Sequence, residues 1–141
     1  MKKIIVFTLF IFFLKSTCAQ TLKINVLGIR NDKGTIRLVF YNKAEDFDDE
    51  KPLFAKIISK AKLSDGKLSV TYEGLKSGTY GIAILDDENN NQKMDYGLAL
   101  PKEGFGFSDY YHTGMRRPKF ENFDFVFGKE DKVIEIKVRY L

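Results

Sequence analysis

The sequence predicts an all-β protein, an antiparallel β-sandwich of seven to eight strands. Three observations carry this expectation. Apolar residues recur with a period of two along most of the chain, as expected of strands with one buried face. Short polar clusters rich in Gly, Asp and Asn separate these segments at regular intervals, as in sandwiches built from short strands. After Gln20 no segment holds a long helical period, except the stretch 53–63. Strands with one apolar face each require two sheets packed face to face. An outer-membrane barrel would need an apolar lipid face, whereas the outward positions here carry Lys, Arg, Asp and Glu.

The elements follow in order. Leu22, Ile24 and Val26 alternate with Thr21, Lys23 and Asn25. Asn31-Asp32-Lys33-Gly34 is a turn signal. Ile36, Leu38 and Phe40 then alternate with Thr35, Arg37 and Val39, so the two segments read as a hairpin. Residues 45–51 read as an acidic, solvated loop. Ala55, Ile57, Ser59 and Ala61 predict a weaker strand with Lys56, Lys60 and Lys62 outward, helix being the alternative in this Ala/Lys/Ile-rich stretch. Ser64-Asp65-Gly66 turns the chain into a strand carrying Leu68, Val70 and Tyr72. A second turn over 74–78 leads to Tyr80, Ile82 and Ile84, with Gly81 and Ala83 small on the other face. Near the end, Phe123, Phe125 and Phe127 alternate with polar residues and Val126, and Ile134, Ile136, Val138 and Tyr140 alternate with Glu135, Lys137 and Arg139.

The 141 residues suit one domain, and 44% hydrophobic with 14% aromatic content is too apolar for disorder. Residues 1–19 read as a signal peptide. Lys2 and Lys3 form the positive start, residues 4–14 are apolar except Thr8, and Thr17 and Ala19 supply small residues before a cut after Ala19. That apolar run is too short for a membrane span, which needs about 20 residues. Cys18 raises a lipoprotein alternative, but Lys15 stands where a lipobox wants Leu. Cleavage leaves residues 20–141 as a single β-sandwich domain, exported to the periplasm or beyond. Lys2, Lys3 and Lys15 leave with the signal, so the net charge falls from +4 to +1. That removes the main support for a nucleic-acid partner, and the mature chain carries no transmembrane span. It also carries no Cys, so stability in an oxidising compartment must come from the core or from a bound ion.

The segment 86–95 carries the chemistry. Asp87, Asn89, Asn91 and Asp95 stand at relative positions 1, 3, 5 and 9, with the carbonyl of Lys93 at position 7. Alternate spacing lets a tight loop aim oxygen ligands at one point, as Ca2+ requires. The start resembles the loop of an EF-hand, but Gln92 stands where that loop has Gly, Leu98 where it has a bidentate Glu, and no helix flanks it. With two charged ligands, a site here would bind weakly, with Kd on the order of 10⁻⁴ to 10⁻³ M. The other reading of the same residues is a polar hairpin loop whose side chains cap their own backbone.

Downstream, Phe105, Phe107, Tyr110 and Tyr111 either plug one end of the sandwich or form an aromatic platform for a ligand. Gly104 and Gly106 make no dinucleotide fingerprint, because no third Gly and no helix follow. Ser108, Asp109 and His112 lie close in sequence, but Gly106-Phe107-Ser108-Asp109-Tyr110 lacks the second Gly and the helix of a nucleophile elbow. One His without Cys does not make the usual zinc ligand sets. Arg116-Arg117 reads as a solvated loop, with an anion contact as the alternative.

Several runs together resemble a known family. These are Gly34-Thr35-Ile36-Arg37-Leu38-Val39-Phe40-Tyr41, Gly78-Thr79-Tyr80-Gly81-Ile82-Ala83-Ile84, the segment 86–95, and Leu100-Pro101-Lys102-Glu103-Gly104-Phe105-Gly106-Phe107-Ser108. They resemble a bacterial family of secreted domains of unknown function, DUF2141. The resemblance implies a secreted β-sandwich in the style of transthyretin-like and immunoglobulin-like modules, with no established activity, catalytic residue or ligand.

The expected function is that of an exported, non-enzymatic binding or structural module of the cell envelope, stabilised by Ca2+ at Asp87, Asn89, Asn91, Lys93 and Asp95. An extracellular protein or glycan would be its partner. The alternative is a transthyretin-like carrier that holds a small apolar ligand at the aromatic loop.

Overall fold

The computed structural model describes residues 20–141. The signal peptide expected over 1–19, Cys18 included, lies outside the described residues. Ten strands and one short helix follow one another as β1 (Thr21–Leu27), β2 (Thr35–Tyr41), α1 (Ala44–Asp48), β3 (Phe54–Ser59), β4 (Lys67–Glu73), β5 (Gly78–Asp87), β6 (Tyr96–Gly97), β7 (Leu100–Pro101), β8 (Gly104–Phe107), β9 (Asp124–Phe127) and β10 (Lys132–Lys137). One sheet runs β10-β1-β4; the other runs β3-β2-β5-β8, with β9 also on β5. Strands β6 and β7 make a separate two-stranded hairpin. No described helix is long and apolar enough to cross a membrane.

The alternating faces meet as the pattern requires. Leu22, Ile24, Val26, Leu68, Ile134 and Ile136 line one sheet, and Ile36, Leu38, Phe40, Ile82, Ile84 and Phe127 the other, all in one buried cluster. Burying each such side chain contributes about 1.5–3 kcal/mol relative to leaving it exposed. Two glycines let the sheets approach at one edge. A Cβ on Gly104 would meet the Tyr140 and Val138 side chains at 2.4 and 2.5 Å, and one on Gly106 would meet Ile136 at 2.8 Å. At that edge the Phe105 and Arg139 backbones exchange hydrogen bonds of 3.0 and 2.7 Å, linking the two sheets.

Four local expectations are corrected. The segments 21–27 and 35–41 do not form a hairpin: β1 pairs β10 and β4, whereas β2 pairs β3 and β5. The turn between them carries the chain from one sheet to the other. The pairing of β1 with β10 is parallel, an exception within otherwise antiparallel sheets. Strand β3 turns its faces opposite to the expectation. Phe54 and Ile58 pack on the core, Ile57 is exposed, and Lys60 is buried in the 3-10 turn that follows. Finally, the acidic segment after β2 is the helix α1, and its Phe47 is 2% exposed.

Phe47 belongs to a second cluster on the outer face of the larger sheet, with Val39, Tyr41, Phe107, Phe120 and Phe123. Gly81 makes room for it, since a Cβ there would meet the Phe123 and Phe120 rings at 2.6 and 2.7 Å. Phe123 therefore parts from Phe125 and Phe127, which face the main core. Arg117 pins the helix: its guanidinium stacks 3.9 Å from the Phe47 ring centroid and donates to Phe47 O at 2.5 Å and Glu50 Oε1 at 2.9 Å. Arg116 and Arg117 are both exposed, as expected of a solvated loop, and Arg117 also makes the contact with an anionic group that was the alternative, through Glu50.

Candidate functional site

Two features flank the C-terminal half of β5: the polar loop that leaves it and a cleft on the outer face beside it. The last two residues of β5 point opposite ways, as a strand dictates. Asp86 faces the core and is fully buried. It meets Lys60 Nζ as an ion pair and accepts from the Tyr140 hydroxyl. Lys60 Nζ also donates to the carbonyls of Lys33 (2.6 Å) and Asn31 (3.2 Å). Burial, then the bond to Asp86, pushes the Tyr140 phenol well above its ordinary range.

Asp87 opens the loop and is also fully buried. Its carboxylate accepts from Asn91 N at 3.0 Å and Gln92 N at 2.8 Å. Asn89 Oδ1 accepts from the same Asn91 N at 3.0 Å, and Asn91 Oδ1 from Lys93 N at 2.8 Å. Both Asn side-chain amides donate to the Asp95 carboxylate. The structure therefore brings Asp87, Asn89, Asn91 and Asp95 together. Lys93 joins them through its N–H, while the residue also lines the neighbouring cleft. Asn90 and Gln92 sit at φ 62° and 61°, so the bend that a Gly would ease is made by an Asn and a Gln. Across from the loop, Gly34 is required: at φ 67°, a Cβ there would lie 1.9 Å from Asp87 O.

Glu103, to which the sequence pattern assigned no role, braces the loop. It is 4% exposed. Its two oxygens accept from Glu88 N at 3.1 Å and Asp95 N at 3.3 Å, tying the two ends of the loop together. Burial raises its carboxyl above the ordinary range; the two backbone bonds oppose this, and the nearby Asp95 and Asp87 charges add to it. The signal for it was present, as Glu103 falls inside the run that resembles the family pattern. Outside the loop, Arg30 grips Glu88 through two bonds of 2.6 and 2.9 Å, and Asn31 adds a third at 2.8 Å. The Arg30 bond holds the Glu88 carboxyl below its usual range.

Chemically, the loop offers two carboxylates and two amides at one place. Among the described residues no group of three or more His, Cys, Asp or Glu side chains is placed to hold a metal, so any cation here rests on amide and carbonyl oxygens as well. The internal bonds also make it the self-capped polar loop that was the other reading of the sequence.

The aromatic residues divide. Phe107 plugs the second cluster, with Phe105 and Tyr110 packed against it, and Tyr111 is exposed. Ser108 is buried; its hydroxyl donates to Phe123 O at 2.6 Å and accepts from Ile82 N at 2.9 Å. Asp109 Oδ1 accepts from Glu135 N at 2.8 Å. The hydroxyl and the carboxylate are thus engaged with backbone, each at a different strand. The His112 carbonyl accepts from Arg139 at 2.8 Å, and its Nδ1 is buried without a partner.

Beside the plug, a cleft of about 620 Å3 opens on the outer face of the larger sheet. Its floor is one cross-strand row: Arg37 on β2 pairs with Leu85 on β5, which pairs with Phe105 on β8. The next row, Val39-Ala83-Phe107, lies at the edge of the second cluster. Tyr96 and Leu100 of the β6–β7 hairpin, with Met115 and Arg116, also line it.

A family model described as "Uncharacterized protein conserved in bacteria (DUF2141)" matches residues 24–135. No curated protein and no solved structure matches the chain.

Proposed function

The chain belongs to this bacterial family, and from that premise we propose that it is an exported, non-enzymatic binding and structural module of the cell envelope, stiffened by Ca2+ at the 87–95 loop. The observation that carries this reading is the convergence of Asp87, Asn89, Asn91 and Asp95 at the end of a central strand. Asp87 already has its carboxylate aligned by two backbone N–H groups, so little ordering remains for an ion to impose. With two acidic ligands, the affinity expected is weak, Kd on the order of 10⁻⁴ to 10⁻³ M, as in extracellular modules. Such a site suits a compartment rich in Ca2+, and the leader over 1–19 supplies the route there. An extracellular protein or glycan is the partner proposed for the module.

The test is a thermal melt of the protein purified after expression of the full chain, in EDTA and in 10 mM Ca2+, with Mg2+ as control. At that concentration, linkage adds about 1.4–2.7 kcal/mol, an upward shift of several degrees. Asp95→Asn keeps the side chain's size, removes a charge and turns one of the acceptors used by the Asn89 and Asn91 amides into a donor, so, compared with its own melt in EDTA, it should abolish most of the shift. Equal melts in EDTA and Ca2+ would sink the cation reading and leave a self-capped loop. Mass measurement of the purified product, with Gln20 as its first residue, tests the export step.

The cleft beside the loop favours a second reading, in which the module carries a small ligand on the outer face of its larger sheet.

A further inference from the structure

We propose that the cleft over Arg37, Leu85 and Phe105 binds a single-chain amphipathic carboxylate, its chain lying on the apolar row and its head group on Arg37. This rests on the carrier reading and assigns its ligand class. The volume of about 620 Å3 falls within the range of roughly 300–1,000 Å3 typical of small-molecule sites. Apolar and aromatic side chains make up much of the lining, Leu85, Phe105, Met94, Tyr96, Leu100 and Met115 among them. Several of these are exposed, Met115 at 74% and Tyr96 at 64%, so the molecule leaves an apolar rim uncovered around a concave floor.

The charge of the lining selects the head group. Among the side chains that line the cleft, Arg37, Lys93, Arg116 and Arg117 outnumber one acid, Glu50, and Glu50 is engaged with Arg117 at 2.9 Å. Arg37 stands half-buried in the floor row between Ile57 on β3 and Leu85 on β5. Among the described residues no carboxylate lies within ion-pair distance of it. A guanidinium held against an apolar floor, with its fork unanswered by an acid, matches the two oxygens of a carboxylate. The concave shape and the one cation in the floor suit a single ligand molecule rather than a flat protein or bilayer surface.

The ligand side is tested by calorimetric titration of the protein, purified after expression of the full chain, with dodecanoate below its micelle concentration. Dodecanol and dodecyltrimethylammonium serve as comparisons of equal chain length. The expected result is one molecule of dodecanoate per chain, bound about tenfold or more tightly than dodecanol, with the cation excluded. Arg37→Gln should erase the preference for dodecanoate over dodecanol. Equal affinity for all three in the unaltered protein would overturn the anionic class while keeping a carrier. Failure of all three to bind would overturn the carrier reading as well. Comparing the three ligands on the unaltered protein decides the head-group question even where Arg37→Gln folds poorly. Binding to vesicles of anionic lipid without uptake of monomeric dodecanoate would replace the cleft ligand by a membrane surface and overturn the proposal.

Discussion

The Ser108 hydroxyl donates to the carbonyl of Phe123 at 2.6 Å while accepting from the N–H of Ile82 at 2.9 Å. It stands where β8 and β9, both on the edge of β5 away from β2, leave a gap between them. The side chain thus completes a ladder that neither strand reaches, inside the protein, where unpaired backbone groups are costly.

Ser108→Ala removes one hydroxyl and leaves two buried backbone groups unpaired. The expected loss is about 2–4 kcal/mol, read as a lower urea midpoint at unchanged slope. A loss below about 0.5 kcal/mol would mean that water replaces the hydroxyl.

Lys60 and Asp86 are both buried, with side-chain exposures of 1% and 0%. Lys60→Met strands the Asp86 charge and should cost about 3–5 kcal/mol. Lys60→Met combined with Asp86→Leu should recover much of that, because an apolar pair no longer carries the desolvation cost. Chemical denaturation of the two variants checks the order. If the double variant is the weaker, the Tyr140 bond to Asp86 outweighs the ion pair.

The β6–β7 hairpin turns through Leu98 and Ala99, at φ 42° and 76°. Side chains in this left-handed region are strained, and such two-residue turns favour Asn-Gly. Leu98→Asn with Ala99→Gly should raise stability by about 1 kcal/mol, seen as a higher melting temperature. A fall would mean that the fully exposed Leu98 makes a contact worth more than the strain.

Tyr41 and Tyr140 should ionise late in an alkaline titration followed by ultraviolet absorbance. Burial raises the Tyr41 phenol, the Arg117 and Arg37 charges opposing it, and burial with the Asp86 bond raises Tyr140 further. A raised folded value means stability that is present below the ordinary tyrosine range and lost as the pH climbs through the folded values. The unfolding free energy should therefore fall above about pH 10, and Tyr140→Phe should flatten that fall. A late phase that shrinks in Tyr41→Phe and again in Tyr140→Phe would match; a late phase unchanged by both substitutions would contradict the burial of these two phenols.

The strand pattern was legible in the sequence because alternation is a local consequence of backbone geometry. Leu22-Ile24-Val26 and Ile36-Leu38-Phe40 carry their burial in their spacing alone. The turn at Asn31–Gly34 was legible too, but not its destination, since turn chemistry does not state which sheet receives the next strand. The grouping of Asp87, Asn89, Asn91 and Asp95 was legible for the same local reason, all four lying within one loop. Partners distant in sequence were decided by tertiary structure. Lys60 looked like a surface residue until the fold set Asp86, Asn31 and Lys33 around its ammonium. Phe47 lay within a stretch that read as an acidic, solvated loop until Phe107, Phe120 and Phe123 met it on the outer face. Glu103 acquired its role only when both ends of the 87–95 loop arrived at its oxygens. The cleft floor assembled when Arg37, Leu85 and Phe105, from three strands, fell into one row. Period and turn type are set by neighbours along the chain, whereas charge pairing and cavities are set by residues that only folding brings together.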